Sequence, residues 1–250
     1  MAYEYLPIFM QDESTNRILK EAISCIPDKT KVYLVGGVIR SALYYHYFNK
    51  KMPMRDHDVF LIGSPKEFIS NLRKRGFVYG KLKRKYERVI KKKKFPGAKE
   101  LKDFVFLDIH FSSDKSILKN LQENTNFTIN GFALQLNEIV SKGWHKKVIS
   151  INNAKEDLKK KQLRVNAYSH PAQLYACVRF VAAGFKPPTK NEIDSLLLLL
   201  RRLRKNQLER NFKKVFAQTG GKEKAKEIVK KIGIKEDIFS FKTIKNLRKN

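Results

Sequence analysis

The chain has 250 residues, enough for one large domain or two small ones around a buried core. Lys and Arg number 53 against 24 Asp and Glu, and the resulting charge of +29 calls for a polyanionic partner. Apolar residues at 42% exclude a wholly disordered basic tail, and the longest aliphatic run, Leu196 to Leu200, is too short to span a bilayer.

Residues 12 to 26 carry helical apolar spacing through Ile18, Leu19, Ala22, Ile23 and Ile26, and Pro27-Asp28-Lys29 ends that segment. Lys31 to Val35 reads as a short buried strand closed by Gly36-Gly37, and Val38 to Phe48 as the helix that follows at once. A second strand is predicted over Val59 to Ile62. Ser64, Pro65 and Glu67 together predict a capped helix start, with Ser64 and Glu67 forming a capping box, and that helix is expected to end near Gly76. Residues 73 to 94 hold twelve basic side chains against the single acid Glu87, interleaved by Tyr79 and Tyr86, and read as a basic connection facing solvent or a polyanion. Phe104 to Phe111 is a strand by composition, with Phe104, Phe106, Asp108 and His110 on one face. From about residue 155 the chain reads as helical, with one long helix over 191 to 217 bearing Arg201, Arg202, Arg204 and Arg210, then a short basic helical tail over 222 to 250.

Asp56 and Asp58 stand at i and i+2 at the start of a strand, so both carboxylates point to one side of the sheet. Such a pair suits one or two divalent cations, which in turn neutralise a triphosphate. Upstream, the Gly36-Gly37 turn leads directly into a helix whose first N–H groups suit a phosphate, and Arg40 in its first turn adds a cation. His57 points to the opposite face and reads as structural.

LVGGVIRSAL followed by RDHDVFLIG resembles the head domain of class II tRNA nucleotidyltransferases and bacterial poly(A) polymerases. NFTINGFAL at 126 to 134 is similar to the family's Asp-Phe-Thr-Ile-Asn segment, AKEDLKKKQLRVN to the strand pairing that closes the head, and HPAQLYACVRFVAAGF at 170 to 185 to the first neck helix. The resemblance covers roughly residues 30 to 218. It implies an α+β fold: a polymerase-β-like nucleotidyltransferase head with a mixed sheet, then an all-α neck. The divisions expected are an N-terminal helical segment at 1–30, a head at 31–165, a neck at 166–218 and a tail at 219–250. It further implies catalytic roles for Asp56, Asp58 and Asp108, with Mg²⁺ or Mn²⁺ on Asp56 and Asp58. Gly36, Gly37, Arg40, Gln173 and Arg179 fall at nucleotide-binding positions, and a nucleoside triphosphate is the implied substrate.

The departures matter as much. Arg40-Ser41 stands where the family has Arg-Asp, and Asn124-Thr125-Asn126 where it has Arg-Arg-Asp. The base-reading Glu-Asp-x-x-Arg is replaced by Ser169-His170-Pro171-Ala172-Gln173, and the family's body and tail are missing. The leading expectation is an RNA nucleotidyltransferase of altered base selection, acting on the 3′ end of a tRNA or another RNA. The alternative is a catalytically reduced homologue serving as a basic RNA-binding component of a ribonucleoprotein such as a ribosome. In either case RNA (tRNA or rRNA) is the expected partner, met by Lys83, Arg84, Lys85, Arg88, Lys91, Lys92, Lys93, Lys94, Arg201, Arg202 and Arg204. A protein partner supplying the missing body fits the same picture. The N-terminus lacks a basic n-region, so no secretory signal is expected. Cys25 and Cys177 suit a reducing compartment, no Cys/His cluster has zinc spacing, and no membrane association is expected. The expected setting is the cytoplasm, with an organelle matrix or a virus-infected cell also compatible.

Overall fold

A computed structural model describes residues 13–52, 57–83, 86–92, 104–111, 116–235 and 237–247. By backbone contacts the chain divides into two units, Met1–Leu121 with Asn130–Ile151, and Gln122–Ile129 with Asn152–Asn250.

The first unit is built on a sheet. Strand β1 (Lys31–Val35) buries Val32, Tyr33 and Leu34 in succession, the pattern of a strand covered on both faces. Helix α1 (Glu13–Ile23) precedes it, and helix α2 (Gly37–Phe48) follows within two residues. Next come β2 (His57–Ile62), α3 (Pro65–Lys74), β3 (Val78–Lys83), β4 (Tyr86–Lys92), β5 (Phe104–Phe111) and α4 (Ile117–Asn124). Strands β6 (Phe132–Gln135) and β7 (Ile149–Ser150) complete the order β3-β4-β5-β2-β1-β6-β7. Only β2 and β5 run parallel among these neighbours, so the sheet is mixed, as expected. Helix α2 lies against β1, β2 and β6 and buries Val38, Ile39, Ala42 and Leu43 there.

The start of α3 departs from the expected capping box in an instructive way. Ser64 Oγ accepts from the Glu67 N–H (3.4 Å), as predicted, with Pro65 in the first helical turn. The Ser64 N–H, however, donates to Thr30 Oγ1 (3.4 Å), so the second half of the cap comes from the β1 approach.

The basic stretch read as a connection is a β-hairpin. β3 pairs antiparallel with β4, and β4 with β5, so Lys81, Lys83, Arg88, Lys91 and Lys92 extend the sheet. Lysine and arginine hide such strands, because long cationic side chains tolerate either face and blur the period-two signal.

The second unit is helical. Helices α5 (Ala154–Lys160), α6 (Gln173–Ala182), α7 (Lys190–Leu199), α8 (Lys205–Thr219), α9 (Lys222–Lys231) and α10 (Phe241–Leu247) follow in order. The AKEDLKKKQLRVN stretch is α5 and then an extended run, bridged at Phe127 to Val165 and at Gln162 to Lys186. Asp157 anchors it: Thr128 Oγ1 donates to Oδ2 at 2.6 Å, and Arg164 Nη2 donates to Oδ1 at 3.3 Å.

The single long helix predicted over 191 to 217 is two helices. A 3₁₀ turn at Leu200–Arg202 and an extended Leu203 separate α7 from α8, and Leu203 is 2% exposed. No Gly or Pro marks the break; burying Leu203 and capping the Arg204 N–H with Gln207 Oε1 (2.8 Å) hold it. Tyr175, Phe212, Phe216 and Phe239 then form an aromatic core, with Phe216 and Phe239 rings 5.0 Å apart. The buried Tyr175 hydroxyl donates to the Ile238 carbonyl at 2.7 Å, which satisfies its polar end. No helix among the described residues is long and apolar enough to cross a membrane.

Candidate active site

The end of β1 sets the site. Gly36 adopts φ 69° and ψ −126°, a region that side chains other than glycine avoid, and its N–H donates to the Phe132 carbonyl on β6 at 2.9 Å. Gly36 is the N-cap of α2 and supplies no side-chain hydrogen bond to the helix's first N–H groups. A Cβ added at Gly36 would lie 4.0 Å from Asp58 Oδ2, so the Asp58 carboxylate sits beside this turn.

Asp58 and Asp108 are direct register partners on the parallel strands β2 and β5, which puts both on one face of the sheet. His110, two residues along β5, shares that face, and its Nε2 lies 3.3 Å from Asp58 Oδ1. One Asp58 oxygen thus meets an imidazole while the other faces the glycine turn. Neither His110 nor Asp58 is buried; their side chains are 32% and 44% exposed, so both are open to solvent. His57, on the opposite face, is buried, in keeping with a structural role.

Arg40 folds back over the turn. Its Nη1 donates to Asn130 Oδ1, and its Nη2 lies 3.5 Å from the place a Cβ on Gly37 would take. Asn130 is the last residue of the FTIN segment, so that segment holds the glycine turn from below through Arg40. Ser41, where the resembled family has Asp, donates its hydroxyl to the Gly37 carbonyl at 2.8 Å inside α2.

Asp56 lies outside the described residues, as do Arg84, Lys85, Lys93 and Lys94. Lys83 belongs to β3, and Arg88, Lys91 and Lys92 to β4. In the second unit, Gln173 is fully buried at the start of α6, and its Nε2 donates to the Asn126 carbonyl at 2.8 Å. Arg179 reaches Gln218 Oε1 at 3.3 Å and the Tyr175 carbonyl at 3.3 Å. Ser169 Oγ donates to Asn126 Oδ1 at 2.9 Å, and His170 Nδ1 accepts the Ala172 N–H at 3.1 Å. Arg202 and Arg204 are exposed around the turn between α7 and α8, while Arg201 is half-buried.

The sequence reading missed His110 and Asn130 as members of the site. Strand alternation already placed His110 on the Asp108 face, but only the β2–β5 register brings it to Asp58. The hard carboxylate oxygens of this set suit Mg²⁺ or Mn²⁺ in chemistry. Among the described residues no group of three or more His, Cys, Asp or Glu is gathered to hold a metal, and the i−2 carboxylate of the pair is not among them.

No protein-family model and no curated protein matches the chain. Solved structures do. A Thermotoga maritima CCA-adding enzyme complexed with tRNA is 19% identical, with a TM-score of 0.65 over 89% of this chain and 52% of that one. A CCA-adding enzyme in complex with CTP is 19% identical, with a TM-score of 0.64 over 92% and 52%. A tRNA nucleotidyltransferase complexed with a primer tRNA and an incoming ATP analog is 19% identical, with a TM-score of 0.59 over 85% and 58%. The chain therefore spans between 52% and 58% of the length of these structures. At such identity the likeness concerns architecture: the chain has the α+β nucleotidyltransferase fold of CCA-adding enzymes, with a mixed-sheet head followed by helices.

Proposed function

We propose that the protein is a metal-dependent nucleotidyltransferase that extends the 3′ end of an RNA, with a base choice other than strict C-then-A. The observation that carries this reading is the Asp58 carboxylate, in register with Asp108 and beside the Gly36 turn at the start of α2. In that reaction the RNA 3′-hydroxyl oxygen bonds to the α-phosphorus of a nucleoside triphosphate. The bond from that phosphorus to the bridging oxygen of the β-phosphate breaks, pyrophosphate departs, and the hydroxyl proton passes to solvent.

Asp56, Asp58 and Asp108 are the residues that would hold Mg²⁺ or Mn²⁺, which when bound neutralises the triphosphate and favours ionisation of the attacking hydroxyl. The Gly36-Gly37 turn and the first N–H groups of α2 receive phosphate oxygens. Arg40 serves chiefly to hold that turn, since its guanidinium is engaged by Asn130. His110 orients the Asp58 carboxylate through its 3.3 Å contact.

The altered base choice is supported by the residues around α6. Charged base-reading groups are absent from 169 to 173, and the Gln173 Nε2 is already engaged by Asn126. Discrimination between bases depends on buried polar groups left unpaired by the wrong base, and a weaker donor and acceptor set discriminates less. RNA as the partner is supported by the charge of +29 and by the tRNA-bound structures that share the fold.

Thermal shift with Mg²⁺ and each nucleoside triphosphate tests the metal–nucleotide reading. A shift in the wild type that disappears in Asp58→Asn is expected; equal shifts in both would refute it. Sequencing the tailed products tests base choice, and a clean CCA end on truncated tRNA would overturn that part alone. A protein that binds RNA yet binds no nucleotide would instead fit the ribonucleoprotein alternative.

A further inference from the structure

Helices α8 and α10 flank a half-open pocket of about 330 Å³ lined by Lys205, Leu208, Phe241, Ile244 and Lys245. Its chemistry is divided. Leu208 and Ile244 are buried and apolar, the Phe241 ring is half-exposed, and the two lysines stand exposed. Lys205 Nζ lies 5.6 Å from the Phe241 ring centroid, so a cation already sits over an aromatic face. A flat apolar group that carries an anion on its edge satisfies both halves at once.

We propose that this pocket takes one unpaired nucleotide of a bound RNA, its base against Phe241 and its phosphate between Lys205 and Lys245. Size supports a single base: ligand pockets run from about 300 to 1,000 Å³, and this one is at the lower end. Stacking on an aromatic ring is indifferent to base identity, which suits a contact away from the reacting end. Charge favours RNA over an isolated small anion, because Arg202 and Arg204 continue the exposed cations along the chain from Lys205, and Lys242 is exposed on α10. These exposed cations number more than one small anion needs, and they suit a chain of phosphates. Phe241 also touches Phe212 at 5.5 Å between centroids, so the ring is held on that side. The base takes the place over the ring that the Lys205 ammonium holds here, and that ammonium moves from the ring to the phosphate.

The inference rests on RNA being the partner, though not on catalysis. Its test therefore uses the full chain in EDTA without nucleotide, and a short single-stranded RNA containing 2-aminopurine. Quenching of the probe on binding is expected, with Phe241→Leu weakening affinity at least about 5-fold and losing the quench. Phe241→Tyr keeps the ring and is expected to restore both. Lys205→Gln/Lys245→Gln is expected to flatten the salt dependence by about 0.7 per lost phosphate contact, and more than the charge-matched Lys213→Gln/Lys214→Gln variant on the same helix. Wild-type quenching in Phe241→Leu, or equal flattening by the two lysine pairs, would overturn the pocket while leaving the proposed activity standing. Absence of RNA binding by the wild type would remove both. Binding of anionic vesicles through Lys205 and Lys245 in place of RNA would overturn the proposal in favour of a lipid surface.

Discussion

In the proposed reaction, Asp58 is the residue on which the chemistry depends. Its two oxygens have different neighbours, His110 on one side and the Gly36 turn on the other, so an amide in its place loses charge while keeping shape. Asp58→Asn is expected to lower nucleotide addition by about 10²- to 10³-fold, the usual loss when one electrostatic stabiliser is removed from an active site. Single-turnover assays at saturating triphosphate check this. Gly36 tests the turn separately. A Cβ there meets only ordinary contacts at 3.9 and 4.0 Å, so Gly36→Ala suffers from its backbone angles and not from crowding. Its expected cost is about 1–3 kcal/mol in urea unfolding. Asp157 shows a structural carboxylate by contrast. It is 3% exposed, while its partner Arg164 is 52% exposed, so solvent screens the ion pair and the Thr128 hydrogen bond matters more. Asp157→Ala, which leaves the buried Thr128 hydroxyl without an acceptor, is expected to cost about 1–3 kcal/mol.

At the scale of elements, α6 carries a pH signature. Burial first, and the Glu192 carboxylate second, push the Cys177 thiol from 9.0 up to about 12. Burial, then Asp237, raises Tyr175 as well. The unfolded chain loses these protons at lower pH than the folded one, so the folded state binds more protons in the alkaline range. Stability is then fully present below about pH 9 and falls as pH rises towards 12, by up to about 1.4 kcal/mol per pH unit for each group. Urea unfolding at pH 8, 10 and 11 measures the fall, and Cys177→Ala is expected to make it shallower. Helices such as α3 were legible because Ser64 and Pro65 act locally, and β1 because four apolar residues, Val32 to Val35, end at Gly36. The break at Leu203 was hidden, since it depends on where that side chain is buried and no turn residue announces it. The β3–β4 hairpin was hidden by its cations, and the pairing of His110 with Asp58 by strand register, a property no single strand contains. Asp58 and Asp108 were legible as carboxylates on strands, but their adjacency required the parallel β2–β5 pair.

For the whole molecule, the charge of +29 would make the affinity for the proposed RNA partner a function of salt. The slope for single-stranded RNA is expected to be about −0.7 for each phosphate neutralised. Changing Lys91, Lys92, Lys93 and Lys94 together to Gln is expected to flatten that slope across unrelated RNAs, and unchanged affinity would mean that this stretch is merely solvated. The fold is that of enzymes caught with tRNA, CTP and ATP, yet the chain spans little more than half of them, and its departures lie at the residues that would choose the base. Activity is therefore the direct question. Incubation with labelled CTP, ATP, GTP and UTP, Mg²⁺ and a mixed RNA pool should yield 3′-extended RNA with the wild type, and extension slower by about 10²- to 10³-fold with Asp58→Asn. Failure of the wild type to extend any RNA, or equal extension by the Asp58→Asn variant, would contradict a nucleotidyltransferase centred on Asp58.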